Sequence, residues 1–403
     1  MKIAGFPVAR DETKDSDDGF DFDTIVDRRQ THSTKWQLYD SDVLPMWIAD
    51  MDFASPEVVI RALRERADHG IFGYEGNSPE LKALITDRLA RLYGWYVDPD
   101  AIVFVPGVVT GFNVAIRALV GPHEGVMIQT PVYGPILHAA RSSGVQAQSM
   151  SLTRDPDGYY SVDLDRFADT VSDSTRLFIL CNPHNPVGRV FTREELLPMA
   201  EACLRHDTII CSDEIHCDLL YNDHRHVPIA SLAPEIEAQS ITLMAPSKTF
   251  NIAGLHCGFA VIPNPDLRRA YNRGRGALVG SPNLMGYVAA QAAYAGGQPW
   301  LDALLPYLQA NRDLIVEYVA QFMPQLRVAS PEGTYLAWID CSAADLPQSP
   351  KAFFLERGRV AFNDGADFGP DGEGYIRLNF GCPRQLLVEG LERMRGALDT
   401  CSA

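Results

Sequence analysis

Five short apolar runs rich in β-forming residues, at 126–129, 177–181, 208–211, 241–244 and 259–262, are separated by stretches long enough to hold helices. Runs that stay apolar at successive positions, instead of alternating, belong to strands covered on both faces. Helical patterns fill the intervals: 56–69 ends at Gly70, 80–93 is stopped by Gly94, and 112–120 is closed by Gly121-Pro122. From Phe53 to about Pro265 the chain therefore predicts an α/β domain with its sheet buried between helices. The pattern over 302–322 predicts a long helix leaving that domain. The remainder, 326–403, shows strand signals at 335–339 and 375–379 and ends in an amphipathic helix at 383–398, a smaller α+β unit. The polar stretch 2–19 lacks periodicity and reads as a mobile arm.

Charge narrows the partners. The 403 residues carry 35 Lys and Arg against 52 Asp and Glu, a formal charge of −17 with no basic stripe. Phosphate backbones and anionic membrane surfaces repel such a protein, so nucleic acid and membrane are not expected partners. No apolar run approaches the roughly 20 residues of a membrane helix, and residues 1–10 lack the apolar core of a signal peptide. The eight cysteines form no CxxC pair and read as reduced thiols of a cytoplasmic protein. His216, Cys217, His224 and His226 raise the question of a metal, but their spacing fits no familiar zinc pattern, and none is expected.

Three polar residues follow three of the apolar runs. Asn185 lies in Cys181-Asn182-Pro183-His184-Asn185-Pro186-Val187-Gly188, Asp213 in Ser212-Asp213-Glu214, and Lys248 in Ala245-Pro246-Ser247-Lys248-Thr249-Phe250-Asn251. Ligands of open α/β sheets bind beyond the carboxyl ends of the strands, so parallel strands would bring all three to one cleft. Each suits one part of a pyridine-aldehyde cofactor. A lysine amine forms a Schiff base with an aldehyde. An aspartate keeps the ring nitrogen protonated, so that the ring absorbs electrons. An asparagine donates to the ring's phenolic oxygen. Singly, these residues have ordinary explanations as a turn, a helix cap and a surface charge; their joint order and strand-end placement do not.

A cofactor phosphate needs an anion site. The turn Pro106-Gly107-Val108-Val109-Thr110-Gly111 precedes the helical pattern at 112–120, and amides at a helix start bind phosphate. Thr110 and Ser247 add hydroxyls, and Val109 belongs to the same turn. Tyr133, after the run 126–129, is placed to stack on a cofactor ring, with core packing as the ordinary alternative.

These residues resemble the fold-type I pyridoxal-phosphate (PLP) enzymes of the aspartate-aminotransferase class, within the class I/II aminotransferases. The chain is most similar to the MalY/PatB group of cystathionine β-lyases and carbon–sulfur lyases. The resemblance rests on Leu44-Pro45-Met46-Trp47-Ile48-Ala49-Asp50-Met51-Asp52-Phe53 with Phe72-Gly73-Tyr74, on Ser212-Asp213-Glu214-Ile215-His216, and on Ser247-Lys248-Thr249-Phe250-Asn251-Ile252-Ala253-Gly254-Leu255. It runs from about Phe22 to Arg395. It implies a PLP-dependent transferase fold, with a large, mainly parallel seven-stranded sheet domain and a smaller α+β domain. The implied division is 1–52 as N-terminal arm and part of the small domain, 53–300 as the large domain, and 301–403 as the small domain.

The resemblance also implies roles. Arg377, in Tyr375-Ile376-Arg377-Leu378-Asn379-Phe380, would clamp the substrate α-carboxylate, with Ala49 and Asn185 beside it. His216 would support the phenolic oxygen, and Tyr74 would reach the phosphate of a partner subunit, making a homodimer with shared sites. The implied reaction is α,β-elimination on an S-substituted cysteine such as cystathionine, with Lys248 as base and Lys248 or Tyr133 protonating the leaving thiolate. An aminotransferase would use the same residues, and a PLP-fold protein that mainly binds a regulator is a further alternative. Two positions depart from the pattern. Ala245 stands where many relatives have Ser, and His256 where a basic phosphate clamp is common.

Overall fold

The computed structural model describes residues 19–401 apart from 75 and 77. The arm read over 2–19 falls, except for Gly19, outside the described residues.

The main sheet consists of β1 (Ile102–Val105), β2 (Gly125–Thr130), β3 (Gln146–Ser151), β4 (Thr175–Cys181), β5 (Ile209–Asp213), β6 (Ser240–Met244) and β7 (Gly258–Val261). Their spatial order is β1-β7-β6-β5-β4-β2-β3. β7 runs antiparallel to both its neighbours, and the pairings β2–β3, β2–β4, β4–β5 and β5–β6 are parallel. The five apolar runs are five of these strands. β3 escapes the sequence reading because it is the sheet's edge, half-exposed and mostly polar. β1 escapes it because four apolar residues do not distinguish a strand from a helical segment.

Successive residues of each central strand face opposite layers. In β4, Leu177 and Ile179 pack with Phe112, Ala115 and Ile116 of the helix Val108–Leu119, while Phe178 and Leu180 pack with Leu196 and Met199 of the helix Arg193–Arg205. Truncating such a buried phenylalanine to alanine costs about 3–5 kcal/mol.

The helix read over 112–120 begins four residues earlier, at Val108. The turn Val108–Gly111 is thus its first turn and not a lead-in. The glycine that suggested a loop serves close packing: a Cβ on Gly111 would sit 2.6 Å from Leu243 Cδ2 of β6.

The smaller sheet is antiparallel, built from β8 (Arg327–Val328), β9 (Leu336–Asp340), β10 (Asn363–Asp364) and β11 (Tyr375–Asn379) in the order β8-β9-β11-β10. Phe22, Trp36, Met46, Met51 and Phe53 share one core with Leu336, Leu378 and Leu387. Leu44 and Pro45 pair with Val360 and Ala361. The N-terminal segment therefore packs into the small domain, and the strap 47–53 runs between that domain and the large sheet.

Candidate active site

Asp213 is the last residue of β5, and its register partners are Cys181 of β4 and Leu243 of β6. Asn185 and Lys248 lie four residues beyond the ends of β4 and β6. Three adjacent parallel strands therefore deliver the carboxyl, amide and amine groups to one end of the sheet. Tyr133, three residues beyond β2, joins them: its backbone N–H donates to the Asn185 carbonyl at 3.0 Å.

Lys248 Nζ donates to the Ala49 carbonyl at 2.5 Å. Burial pushes its ammonium down from 10.5 to about 8, Arg377 adds repulsion, and Asp50 and Asp213 pull the other way. The Asp213 carboxyl is pushed up to about 7, chiefly by burial, against the 3.2 Å donation from the Ile215 N–H and the attraction of Lys248. The site therefore holds an amine that loses its proton easily and a carboxyl that keeps one easily.

Arg377 is buried. Its guanidinium donates to Asn185 Oδ1 at 2.8 Å, Asn363 Oδ1 at 2.7 Å and the Trp47 carbonyl at 3.2 Å, all neutral acceptors. Its Nε is buried without a partner, and no carboxylate pairs with it among the described residues. Burial lowers it to about 10. A buried cation surrounded by neutral oxygens suits an incoming anion. His216, also buried, has its Nδ1 unpartnered, and its ring lies edge-on to Tyr335 at 5.8 Å. Burial, then Lys248 and Arg377, hold its imidazole well below 6.5, and hence neutral.

The helix Val108–Leu119 opens with Gly107 at its N-cap, no side-chain cap and no acidic residue in its first turn. Val109 and Thr110 lie in that turn. Gly258 brings the cap to the β6 exit: a Cβ there would meet Gly107 Cα at 3.3 Å and Ala245 Cβ at 3.4 Å, two residues before Ser247. An uncapped helix start with no acidic residue in its first turn suits an anion. Tyr74 stands apart, fully exposed with Ile71 and Phe72, and touches no part of its own chain's site.

Several residues of the site went unread in the sequence. The Tyr335 hydroxyl donates to the same Ala49 carbonyl as Lys248, at 2.8 Å. Asn379 donates to the Asp50 carbonyl at 2.7 Å and to the Ile48 carbonyl. Asn251 grips the Met51 N–H at 3.0 Å and the Met51 and Phe53 carbonyls at 2.9 and 2.8 Å. Beneath the strap, Asp52 accepts from Lys35 at 2.6 Å, Arg28 at 2.6 Å and Trp36 at 2.8 Å. Asn379 had one signal, since it shares a strand face with Arg377 two residues away. Tyr335, inside an apolar stretch, had none.

A mainly parallel sheet that brings a depressed lysine, a protonatable aspartate and an open helix start to one end defines the class of amino-acid enzymes with the aspartate-aminotransferase fold. The chain belongs to the aminotransferase class I and II family, which it matches over residues 41–394. It is 40% identical over 386 residues to the cystathionine β-lyase PatB of Bacillus subtilis (strain 168), covering 94% of this chain and 99% of PatB. It is 34% identical over 390 residues to protein MalY of Escherichia coli (strain K12), covering 94% and 99%. Among solved structures, cystalysin of Treponema denticola, which contains pyridoxal 5′-phosphate, superposes with a TM-score of 0.91 at 32% identity, over 95% of this chain and 99% of that one.

Proposed function

We propose that this protein is a PLP-dependent carbon–sulfur β-lyase that cleaves cystathionine or another S-substituted cysteine to a thiol, pyruvate and ammonia. The observation that carries the reading is the near-full-length similarity to a cystathionine β-lyase. The site supports it: the uncapped helix start, the unpartnered His216 Nδ1, the Lys248 amine and the Asp213 carboxyl fit the phosphate, phenolic oxygen, aldehyde and ring nitrogen of PLP.

When bound, the cofactor supplies an aldehyde carbon for an amine and a ring that accepts the electrons of the broken Cα–H bond. Lys248 would hold that carbon through Nζ, and its free amine would take the Cα proton; an amine of pKa about 8 suits that task near neutrality. Asp213 holds a proton at the ring nitrogen. Asn185 and His216 would serve the phenolic oxygen, and Val109, Thr110 and Ser247 would hold the phosphate. Arg377 grips the α-carboxylate, with Ala49 and Asn185 flanking it. Tyr133, whose hydroxyl burial pushes up and so keeps protonated, would stack on the ring, and either it or Lys248 would give the departing thiolate its proton.

The exposed Tyr74 segment reaches the phosphate of a second subunit, so the working form is a homodimer with shared sites. The domain boundaries are placed near 52 and 300; Phe22, Trp36, Met46 and Met51, which share a core with Leu336, Leu378 and Leu387, support grouping the N-terminal segment with the C-terminal third. Eight free thiols, seven of them buried, support a cytoplasmic location. The test is partition. A panel of cysteine thioethers should release thiol without an added keto acid. Undetectable thiol alongside rapid amino-group exchange with keto acids would replace the lyase reading by an aminotransferase one.

A further inference from the structure

Three hydrogen bonds fasten the loop Gly365–Gly372 of the small domain to the exits of β2 and β3. Thr130, the last residue of β2, and Ser151, the last of β3, each donate a hydroxyl to Asp371 Oδ2 at 2.7 Å. The Val132 N–H donates to the Phe368 carbonyl at 2.8 Å. Gly369, at φ +123°, makes the bend that brings the loop against Thr130; a side chain there would be strained, and its Cβ would meet Thr130 Cγ2 at 3.4 Å.

The loop leads to the substrate end of the site. The Phe368 ring lies under the Arg377 guanidinium at 4.8 Å and against Trp338 at 5.3 Å. Asn363, just before the loop, accepts from Arg377. None of the residues assigned to the cofactor lies on this loop.

We propose that Asp371 is a positioning residue for substrate-carboxylate recognition: by clasping Thr130 and Ser151 it holds Phe368 under Arg377, so that the guanidinium is aimed before substrate arrives. This rests on the reading of Arg377 as the carboxylate clamp. Hydroxyl-to-carboxylate bonds are among the stronger hydrogen bonds, and this pair joins parts of the chain more than 200 residues apart. Small displacements of a positioning group have large effects on a bound geometry.

The test compares two ligands of the cofactor-loaded protein, followed by the change in cofactor absorption. L-Alanine has the α-carboxylate; ethylamine lacks it. Asp371→Ala should weaken L-alanine by roughly tenfold and leave ethylamine and cofactor affinity unchanged. Asp371→Asn, which still accepts from both hydroxyls, should restore alanine binding. The double variant Thr130→Val, Ser151→Ala should reproduce Asp371→Ala. In the cofactor-free protein, amide hydrogen exchange over 366–372 should quicken in Asp371→Ala and not in Asp371→Asn. Unchanged alanine binding in Asp371→Ala, while Arg377→Ala loses it, overturns the clasp alone. Equal weakening of alanine and ethylamine also overturns it, because that marks general loosening. An unchanged alanine-to-ethylamine ratio in Arg377→Ala overturns the carboxylate clamp itself, and the clasp with it.

Discussion

In the cofactor-free protein, Lys248 should titrate as a lysine nucleophile with a midpoint near 8, and Arg377→Ala should move that midpoint up. Burial is the larger cause of the depression and the Arg377 cation the next. At pH 7 an amine of pKa about 8 is neutral in about one molecule in eleven; at the ordinary 10.5 the fraction is about one in three thousand. Lys248 should therefore react with an amine-directed reagent, or with PLP, roughly 300-fold faster at pH 7 than an unperturbed lysine of equal access. The rate should rise about tenfold per pH unit below 8 and level off above it. Removing Arg377 removes a repulsion felt only by the ammonium, so the midpoint climbs, though not to 10.5, because burial remains. Asp213→Asn removes an attraction and should move the midpoint down. Competitive labelling across pH 6–11, read by mass spectrometry on the Lys248 peptide, measures all three. A wild-type midpoint near 10.5, or shifts of the opposite sign in the two variants, would refute the electrostatic account.

Asp213→Asn should keep its cofactor yet lose turnover by orders of magnitude, since it takes the charge from the ring nitrogen; near-normal activity would mean that another acid serves that nitrogen. Inactive Tyr74→Phe mixed with inactive Lys248→Ala should regain partial activity, because a heterodimer carries one site with both lesions and one with neither. No recovery despite verified subunit exchange argues against shared sites. Asp52→Ala removes one of the two carboxylates that hold buried Lys35 and half-buried Arg28, and because Asp50 still pairs with both it should cost about 1–3 kcal/mol of stability. Thermal unfolding of the cofactor-free protein reads this, and an unchanged midpoint would show that the strap is anchored elsewhere.

The legible parts of the fold were those where periodicity and burial agree. β2, β4, β5, β6 and β7 are almost wholly buried and mostly apolar because both faces are covered, and the residues at the end of β5 and just past β4 and β6 showed the chemistry. The edge strand β3 was hidden because its polar sequence satisfies solvent on one side. Gly111 misplaced a helix start because a glycine that permits close approach to Leu243 reads, in sequence, like a glycine that permits a turn. The strap was legible as a motif but not as a mechanism. It is held by Tyr335 at the Ala49 carbonyl, by Asn251 at the Met51 and Phe53 carbonyls and by Asn379 at the Asp50 carbonyl, up to 329 residues distant, and Tyr335 sits in an apolar run where nothing marks it. Asp371 was hidden for the same reason, since its two partners are hydroxyls at strand ends far away in the chain.

The central claim is that the Cα proton taken by Lys248 leads to loss of the β-sulfur. The most direct measurement is the mass balance of the purified, cofactor-loaded protein with cystathionine and no keto acid. Many turnovers should yield homocysteine, pyruvate and ammonia in equal amounts, with the cofactor spectrum unchanged at the end. A single turnover that stops with the cofactor in its amine form, resumes only when a keto acid is added and yields no homocysteine would contradict the claim.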